Sequence, residues 1–208
     1  MPIKLNNERL PGKNTKLLGN KPLLQYQLDA LLEANLCDTV SVFCSDSAVI
    51  PFLPAQVKFL QRPSELDLPS SNFSQIFDSF MKAVDSDIYA YIHATAPFVT
   101  VDTIRTCINA VLSGMHDSAF CASRIQDFLW QNGKPLNFDA SNIPRSQDLL
   151  PVYRETSGVY VFSKQVFEKH RKRIGNSPYI HEVSFKESID INTPDDFKLA
   201  EALLYVKF

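Results

Sequence analysis

Basic side chains cluster early in the sequence, in the stretch NNERLPGKNTKLLGNKPLLQY. The cluster comprises Arg9, Lys13, Lys16 and Lys21, and Lys4 comes just before it. Lysine and arginine neutralise phosphate charge, and Gly12 permits a tight bend whose backbone N–H groups can point at anions. The stretch contains neither GxxxxGK[ST] nor GxGxxG, so it matches no common phosphate loop. Two interpretations stay open: a phosphate-binding turn and a solvated surface loop.

A second polar cluster, SIDINTPDD, lies near the end of the sequence. Asp190 and Asn192 are two positions apart on a segment predicted to be extended, so both side chains point to one face. Such oxygen donors suit Mg²⁺, which keeps several waters and binds beside substrate phosphates. The alternative for Asp190 is an ordinary acid at a helix cap. Asp195 and Asp196 are predicted as first-turn acids of the last helix, with Thr193 as its N-cap.

Other polar residues follow predicted strands. Ser45 and Asp46 end the run TVSVFCS, and His93 and Thr95 come just after DIYAYI. Small residues around His93 leave room for a planar base or a ribose. The alternative is a hydrogen-bonded scaffold histidine.

A polar segment, QRPSELDLPSSNFSQ, precedes a predicted helix. It offers Arg62 and Ser71 as ligand-binding candidates, although its serine and asparagine residues are also typical helix caps. The basic run EKHRKRIG (168–175) falls at a predicted helix C-terminus. It either complements the helix dipole or binds the carboxylate of an acidic sugar.

Strand-like runs alternate with helical patterns along the chain. Strands are predicted in residues 39–45, 57–60, 87–94, 118–123 and 157–162, and helices in 22–36, 74–84, 101–114 and 193–206. The alternation predicts an α/β fold whose mostly parallel sheet is covered by helices on both faces. Ligands then bind at the carboxyl ends of the strands, where the polar clusters fall. Only residues 1–4 are left for a first strand, which is therefore very short or starts upstream.

The segment 124–156 interrupts this alternation. FLWQNGKPLNF is typical of a β-hairpin that turns at Asn132-Gly133, and an extended excursion follows it. The sequence shows no repeats, no low-complexity tract and no linker. It therefore predicts one domain over residues 1–208, with 124–156 inserted in it.

Bulk properties limit the classes of function. A net charge of -2 argues against sequence-independent nucleic-acid binding, which needs a basic surface. No apolar run approaches the ~20 residues of a transmembrane helix, and no signal peptide precedes the first lysine, which predicts no membrane association. The 4 cysteines lack metal-ligand spacing and are predicted to be reduced core thiols, as in the cytoplasm. Neither a Ser-His-Asp order nor HExxH is present, so hydrolysis is a weak candidate.

Several motifs together resemble one family. They are RLPGKN (9–14), GNKPLLQY (19–26), RPSEL (62–66), HATAPFVT (93–100), PRSQDLLPVYRETSGVYVF (144–162) and SIDINTPDDFKLAEAL (188–203). Their order resembles that of the acylneuraminate cytidylyltransferases, and RLPGK is shared especially well with the neighbouring CMP-Kdo synthetases. Each motif alone is weak, but their order makes the resemblance specific, and it spans nearly the whole chain.

The resemblance implies a three-layer α/β/α, Rossmann-like nucleotide-diphospho-sugar transferase fold. It also implies a Mg²⁺-dependent homodimeric enzyme that transfers CMP from CTP to an acidic 3-deoxy-ulosonic sugar, such as a sialic acid-like nonulosonic acid, and releases pyrophosphate. The product would serve surface glycan biosynthesis. Two rival hypotheses are a nucleotidyltransferase for another NTP or sugar, and a degenerate, non-catalytic nucleotide-binding homologue.

The resemblance further assigns roles to single residues. Lys4 and Lys13 are implied to contact the CTP phosphates and Asp190 to bind the metal. Asn192 stands where the family has a second metal-binding aspartate, and Arg9 is shared with the Kdo-type relatives.

Other positions correspond to the base, the sugar and the dimer. Asn14, Arg62 and, approximately, Ser71 match positions near the cytosine, whereas His93 replaces a glutamine of the sugar site. The 124–156 excursion resembles an arm that forms the dimer and completes the partner's site. The arm residues expected near a subunit interface are Arg145, Gln147 and Arg154.

Overall fold

The computed structural model describes residues 1–206; positions 207 and 208 of the predicted domain lie outside the described residues. The strands are β1 (Pro2–Ile3), β2 (Leu17–Leu18), β3 (Lys21–Pro22), β4 (Ser41–Cys44), β5 (Lys58–Gln61), β6 (Ile88–Ile92), β7 (Ser118–Ile125), β8 (Trp130–Gln131), β9 (Lys134–Pro135), β10 (Val152–Ser163) and β11 (Pro178–Glu182). The α-helices are α1 (Leu23–Ala34), α2 (Phe73–Met81), α3 (Val101–Leu112), α4 (Lys164–His170) and α5 (Pro194–Leu203). None of the helices in residues 1–206 combines the length and the apolar composition needed to cross a bilayer.

The central sheet has two parts. One part has the order β1-β4-β5 with parallel strands, and the other has the order β11-β7-β10-β6. In the second part β11 runs parallel to β7, whereas β10 runs antiparallel to both of its neighbours. The predicted mostly parallel sheet is therefore confirmed, with β10 as the exception. Met1 and Pro2 face residues 89–91 of β6 across a narrow apolar gap, so the two parts lie side by side.

Alternate residues of β10 pack on opposite faces of the sheet, because successive side chains of a strand point to opposite sides. Val159 and Val161 join an aliphatic cluster with α1 and α3. Tyr160 and Phe162 join an aromatic cluster with α2 and α4. Helices on both faces give the three α/β/α layers that the resemblance implies.

Two strands differ from the sequence prediction. β10 begins at Val152 rather than at residue 157, and its register with β7 shifts between Glu155 and Tyr160. β11 has no counterpart in the prediction, because PYIHE is an edge strand with little burial and so carries no regular apolar pattern. The first strand, β1, has two residues in this chain.

The arm, residues 124–156, carries the predicted hairpin between β8 and β9. Asn132 and Gly133 have φ angles of 50° and 74°, as a two-residue type I′ turn requires. The rings of Trp130 and Phe138 pack edge to face, 5.6 Å apart between centroids. The hairpin is confirmed, whereas the role of the arm in a dimer stays a prediction.

The cysteines are free thiols, as predicted. Cys44, Cys107 and Cys121 are buried in the core, and Cys37 is half-buried. Cys107 and Cys121 lie in contact, with 4.0 Å between their sulfur atoms.

Candidate active site

Polar side chains follow β1, β5 and β6 at the points where these strands end. Lys4, Arg62 and His93 come from these three ends and line one cleft of about 610 Å³. The cleft lies where the order of the strands reverses. β4 and β5 extend the sheet on one side of β1, and β6 lies on the other side. Such a topological switch point is where open α/β sheets bind ligands.

The cleft brings together most of the residues that the sequence predicts. Those that line it are Lys4, Arg9, Lys13, Asn14, Arg62, Ser71, His93, Thr95, Asp190 and Asn192. They come from six separate stretches of the sequence, so it is the folding of the chain that brings them together.

Four predicted residues lie outside the cleft. Asp46 accepts a hydrogen bond from the backbone N–H of Ala48 and so caps a 3₁₀ turn, while Ser45 Oγ donates to Asp67. Arg145 lies in the arm, where its side chain pairs with Asp148 at 2.7 Å. Gln147 is also in the arm, and its carbonyl accepts from Gln126 at 2.8 Å. This chain alone does not bring its arm residues to its own cleft.

The basic turn is only partly a surface loop. Gly12 has φ of 64°, the left-handed bend that the sequence predicts. The next residue, Lys13, is 7% exposed, and its Nζ donates to the carbonyl of Ile191 at 2.7 Å. Lys16 is exposed, and Lys21 pairs with Asp29 at the surface. The solvated-loop interpretation therefore holds for Lys16 and Lys21 but not for Lys13.

Lys13 is a buried cation without a carboxylate partner. It forms no ion pair with any of the described residues 1–206. Burial lowers the pKa of Lys13, an effect that Asp190 opposes and Arg9 reinforces. Because a buried charge is costly unless it is paired, this position favours an anionic ligand.

The Asp190 segment faces the basic turn across the cleft. Asp190 Oδ2 accepts a hydrogen bond from Asn192 Nδ2 at 2.7 Å, and Asn192 Oδ1 accepts from Arg9 Nη2 at 2.7 Å. Asp190 Oδ1 is buried without a partner in the described part of the chain. Thr193 is the N-cap of α5 and Asp196 is an acid of its first turn, as predicted, and Asp190 does not take part in this capping box.

Arg62 is held by an acidic residue that the sequence reasoning missed. Its side chain is 3% exposed and pairs with Asp67, whose backbone carbonyl also accepts from Lys4 Nζ at 2.6 Å. Asp67 thus organises the ends of β1 and β5 together. The signal for it in the sequence is an acid five positions after the arginine, in the polar segment before α2, where Asn72 forms the predicted cap.

His93 projects into the cleft from the end of β6. Its Nε2 atom is buried and finds no partner within residues 1–206, so the hydrogen-bonded scaffold interpretation receives no support. Burial lowers the pKa of His93 to about 4, and the nearby Arg173 adds to this effect. The imidazole is therefore neutral at pH 7 and offers a donor and an acceptor to a ligand.

Unpartnered polar atoms converge on the cleft. Five buried side-chain N or O atoms of residues 1–206 lack a hydrogen-bond partner, and four of them belong to cleft residues: Asn7 Oδ1, Arg62 Nε, His93 Nε2 and Asp190 Oδ1. Buried polar groups are normally paired, so a cluster of exceptions indicates a site completed by a ligand. Asn7 and Ser157, which also line the cleft, are further residues that the sequence reasoning missed.

Comparison with known proteins identifies the family. Residues 2–203 match the family model described as Cytidylyltransferase. The chain belongs to the cytidylyltransferase family. This confirms the resemblance drawn from the motifs and makes the protein a nucleotidyltransferase.

Two relatives of this cytidylyltransferase are CMP-sugar enzymes by name. It is 27% identical over 223 residues to the CMP-N,N'-diacetyllegionaminic acid synthase of Legionella pneumophila, covering 98% of this chain and 94% of that protein. It is 21% identical over 208 residues to the N-acylneuraminate cytidylyltransferase of Streptococcus agalactiae serotype III, covering 95% of this chain and 50% of that protein. The chain thus spans half the length of the second relative.

A solved structure supports the fold of this cytidylyltransferase. The CMP:2-keto-3-deoxy-manno-octonic acid synthetase complexed with CTP superposes with a TM-score of 0.71 at 17% identity, covering 98% of this chain and 95% of that one. The predicted Rossmann-like α/β/α fold is confirmed.

The residues of this cytidylyltransferase suit a divalent cation in one place. Asp190 Oδ1, buried and unpartnered, offers the carboxylate oxygen that Mg²⁺ prefers. Beside it, the NH₂ group of Asn192 faces Asp190 and its oxygen accepts from Arg9, so the predicted role of Asn192 as a metal ligand stays a prediction. No group of three or more His, Cys, Asp or Glu residues within 1–206 could hold a metal unaided. Water and substrate phosphates would have to complete the coordination.

Proposed function

We propose that this cytidylyltransferase transfers CMP from CTP to the anomeric hydroxyl of an acidic 3-deoxy-ulosonic sugar, a sialic acid-like nonulosonic acid, and releases pyrophosphate. One observation carries the proposal. The same cleft holds a buried cation without an ion-pair partner, Lys13, and a carboxylate oxygen without a hydrogen-bond partner, Asp190 Oδ1. A nucleoside triphosphate with its divalent cation supplies the missing charge to both. The names of the two relatives support a sialic acid-like sugar. Surface glycan biosynthesis is the proposed use of the product.

The basic turn is the triphosphate side of the proposed site. Lys4, Arg9 and Lys13 all line the cleft. Phosphoryl transfer depends mainly on positioning and on neutralising the charge that builds up on the leaving group. Lys13 is best placed for this role, because its ammonium group is desolvated and a β- or γ-phosphate would replace the water it has lost.

The cytosine is proposed to bind between the ends of β1 and β5. Arg62 Nε is buried without a partner in the described chain and can donate to a base carbonyl. Asn14 lies beside it in the cleft and fixes the turn, since its Nδ2 donates to the carbonyl of Lys4 at 2.8 Å. Ser71 borders the same end of the cleft, with Oγ bonded to the carbonyl of Glu65 at 3.1 Å.

The acceptor sugar is proposed to bind beside β6. His93 Nε2 is free for a sugar hydroxyl, and Thr95 lines the cleft next to it. The backbone of Thr95 accepts a hydrogen bond from Ile191 N–H at 2.8 Å, which ties this wall to the Asp190 segment. The sugar hydroxyl would attack the α-phosphorus of CTP and release its proton to solvent, while the bond from that phosphorus to the pyrophosphate oxygen would break and pyrophosphate would leave.

Asp190 is proposed to hold Mg²⁺ through Oδ1. When bound, the cation would neutralise charge on the phosphates and the departing pyrophosphate. The chain's own contribution is to keep this oxygen buried and unpaired, opposite the lysines of the basic turn.

The decisive experiment is a panel of acceptors with one nucleotide. The full chain is incubated with CTP, Mg²⁺ and a series of 3-deoxy-ulosonic acids, including sialic, legionaminic and Kdo-type sugars, and pyrophosphate release is followed. We expect release with at least one acid, abolished in Asp190→Ala and retained in Asp195→Ala, a matched change of an exposed helix acid. Tight CTP binding without release across the panel would favour the non-catalytic homologue instead.

The nucleotide is tested separately by thermal shift. CTP with Mg²⁺ should raise the melting temperature more than UTP, GTP or ATP at the same concentration, because stabilisation of the folded state grows with the logarithm of the ratio of ligand concentration to Kd. A larger shift with UTP would contradict the CTP assignment and support the rival hypothesis of another NTP.

We also propose a cytoplasmic homodimer in which the arm of each subunit reaches the partner. The support is the position of the arm, which presents apolar side chains to solvent and does not touch the cleft of its own chain.

A further inference from the structure

Asn192 lies between a group that can only donate hydrogen bonds and a group that can only accept them. On one side Arg9 Nη2 donates to Asn192 Oδ1, with 2.7 Å between the atoms. On the other side Asn192 Nδ2 donates to Asp190 Oδ2, also at 2.7 Å. Three side chains therefore form a chain of hydrogen bonds that ends on the carboxylate facing the basic turn.

The chemistry of the two neighbours fixes the orientation of this amide. A guanidinium has no acceptor and an ionised carboxylate has no donor, so only the oxygen of Asn192 can face Arg9 and only its NH₂ group can face Asp190. An aspartate at position 192 could pair with Arg9 but could not donate to Asp190. An amide is the side chain that satisfies both contacts at once.

The backbone around the amide is fixed independently. The N–H of Asn192 donates to Asp196 Oδ2 at 2.9 Å, and Asp196 belongs to the capping box of α5. The preceding residue, Ile191, is fully buried, and its carbonyl accepts from Lys13 Nζ. The side chain of Asn192 thus starts from a rigid position.

We propose that Asn192 is a positioning residue, held by Arg9, which binds Asp190 Oδ2 and so leaves Oδ1 as the carboxylate oxygen that is free of hydrogen bonds for a divalent cation. The inference rests on the proposed function, since it takes Asp190 as the residue that meets the cation. It differs from the expectation of two adjacent metal ligands, because Asn192 acts through Asp190 rather than on the metal. One carboxylate oxygen gives weak affinity for the bare ion, so the cation arrives with the nucleotide, whose phosphates supply the remaining ligands.

The first test measures metal binding rather than turnover. Mn²⁺ is titrated into the full chain, with and without CTP, and free Mn²⁺ is followed by electron paramagnetic resonance. We expect wild type to bind Mn²⁺ tightly only with CTP, and Asn192→Ala to weaken that binding about tenfold or more, as residues that orient metal ligands do. CTP affinity in the presence of a chelator should fall less than Mn²⁺ affinity in Asn192→Ala, because Asn192 reaches the nucleotide only through Arg9.

Substitution of Asn192 by aspartate should change the affinity for Mn²⁺ in the opposite direction. Asn192→Asp places a second carboxylate beside Asp190, so its affinity for bare Mn²⁺ should rise at least about tenfold relative to wild type. Asn109→Ala and Asn109→Asp, at an exposed position of α3, are the matched controls and should leave both affinities unchanged. Wild-type Mn²⁺ affinity in Asn192→Ala would overturn the inference while leaving the proposed function intact.

A spectroscopic test separates a positioning residue from a metal ligand. In ¹⁵N-labelled chain, the side-chain NH₂ signal of Asn192, identified by its loss in Asn192→Ala, should exchange slowly with solvent and become fast-exchanging in Asp190→Ala. We expect slow exchange to persist with Mg²⁺ and CTP bound. Its loss on adding Mg²⁺ with CTP would mean that the amide rotates onto the metal, which overturns the inference. If wild type and Asp190→Ala bind Mn²⁺ equally in the CTP complex, the metal site of the proposed function fails as well.

Discussion

The ammonium group of Lys13 donates to the backbone carbonyl of Ile191 at 2.7 Å, across 178 positions of sequence. The bond joins the basic turn to the segment that presents Asp190. Lys13 forms no direct ion pair with the described residues 1–206, and Asp190 compensates its charge only in part, from a longer distance. The two ends of the chain thereby enclose a cation that is ready for an anionic ligand.

Replacing Lys13 by methionine should separate ligand binding from stability. Lys13→Met removes the buried charge that a triphosphate would pair, so CTP affinity should fall at least about 100-fold, or ~2.7 kcal/mol. The free energy of unfolding should change by less than about 1 kcal/mol, because one hydrogen bond is lost while an unpaired buried charge disappears. Calorimetry with CTP and urea denaturation measure the two quantities.

Lys16→Met is the matched control for this prediction. Lys16 belongs to the same turn but is exposed, and its ammonium group lies over the ring of Phe197 at 4.4 Å. CTP affinity in Lys16→Met should stay within a factor of about three of wild type, as for an exposed, screened charge. Equal losses in the two variants would refute a specific role for Lys13.

Asp67 should contribute strongly to stability, although it does not bind ligand in the proposed site. Asp67→Ala leaves Arg62, which is 3% exposed, as a buried cation without its partner. Such losses cost about 3–5 kcal/mol, and Asp67→Asn should cost less because one acceptor oxygen stays in place. Urea denaturation at pH 7 gives the free energies.

The surface pair of Asp195 and Lys198 provides the comparison. Both side chains are largely exposed, with 3.1 Å between their charged atoms. Asp195→Ala should reduce the free energy of unfolding by no more than about 1 kcal/mol. A similar cost for Asp67→Ala and Asp195→Ala would show that Arg62 is not dependent on Asp67.

Local sequence signals account for the parts of the fold that could be predicted. Gly12, the turn at Asn132-Gly133 and the cap at Thr193 each depend on the conformational preferences of a few consecutive residues. The gathering of most candidate residues in one cleft also followed from the sequence, because polar residues after strands collect at one edge of a parallel sheet.

Contacts between distant residues account for what the sequence did not predict. The antiparallel direction of β10 is set by its pairing with β6 and β7, and strand patterns do not encode direction. Likewise, the sequence did not predict the hydrogen-bond partner of the Asn192 side chain. Its actual partner Arg9 lies 183 positions away, and that contact turns the amide oxygen away from Asp190.

The exposed apolar side chains of the arm should be buried in a homodimer. The side chains of Ile143 and Leu150 are 65% and 81% exposed. Large apolar side chains in a core or under a covering surface have much lower exposed fractions. The double variant Ile143→Asp/Leu150→Asp should raise the dimer dissociation constant at least about 100-fold, because interface burial would desolvate the new charges. Sedimentation velocity measures this, with Met115→Asp, an exposed apolar residue outside the arm, as the control.

Complementation tests whether the arm completes the partner's site. Arg145→Ala alters the arm and Asp190→Ala alters the cleft, so each variant alone should be inactive. In a two-fold symmetric dimer, mixing them restores one intact site in each heterodimer, or about a quarter of all sites at random mixing. No recovery after mixing, or a monomeric wild type, would contradict the arm-exchange arrangement.

His93 should make the stability of the fold depend on pH below neutrality. Burial, reinforced by Arg173, lowers its pKa from 6.5 to about 4 in the folded state. Between these values the unfolded chain binds the proton and the folded chain does not, so this contribution to stability is complete above pH 6.5 and is lost as the pH falls towards 4. The loss is about 3 kcal/mol, and it should be absent in His93→Gln, which has no group that titrates there.

The measurement for His93 is the difference in the free energy of unfolding between wild type and His93→Gln, obtained by urea denaturation at several pH values. Taking the difference removes the titration of carboxylates that both proteins share. His116→Gln, which removes an imidazole outside the cleft, controls for the substitution itself. A difference that stays constant from pH 7 to pH 4 would mean that His93 is not buried as a neutral imidazole. The proposed contact between its Nε2 atom and the sugar would then lose its structural support.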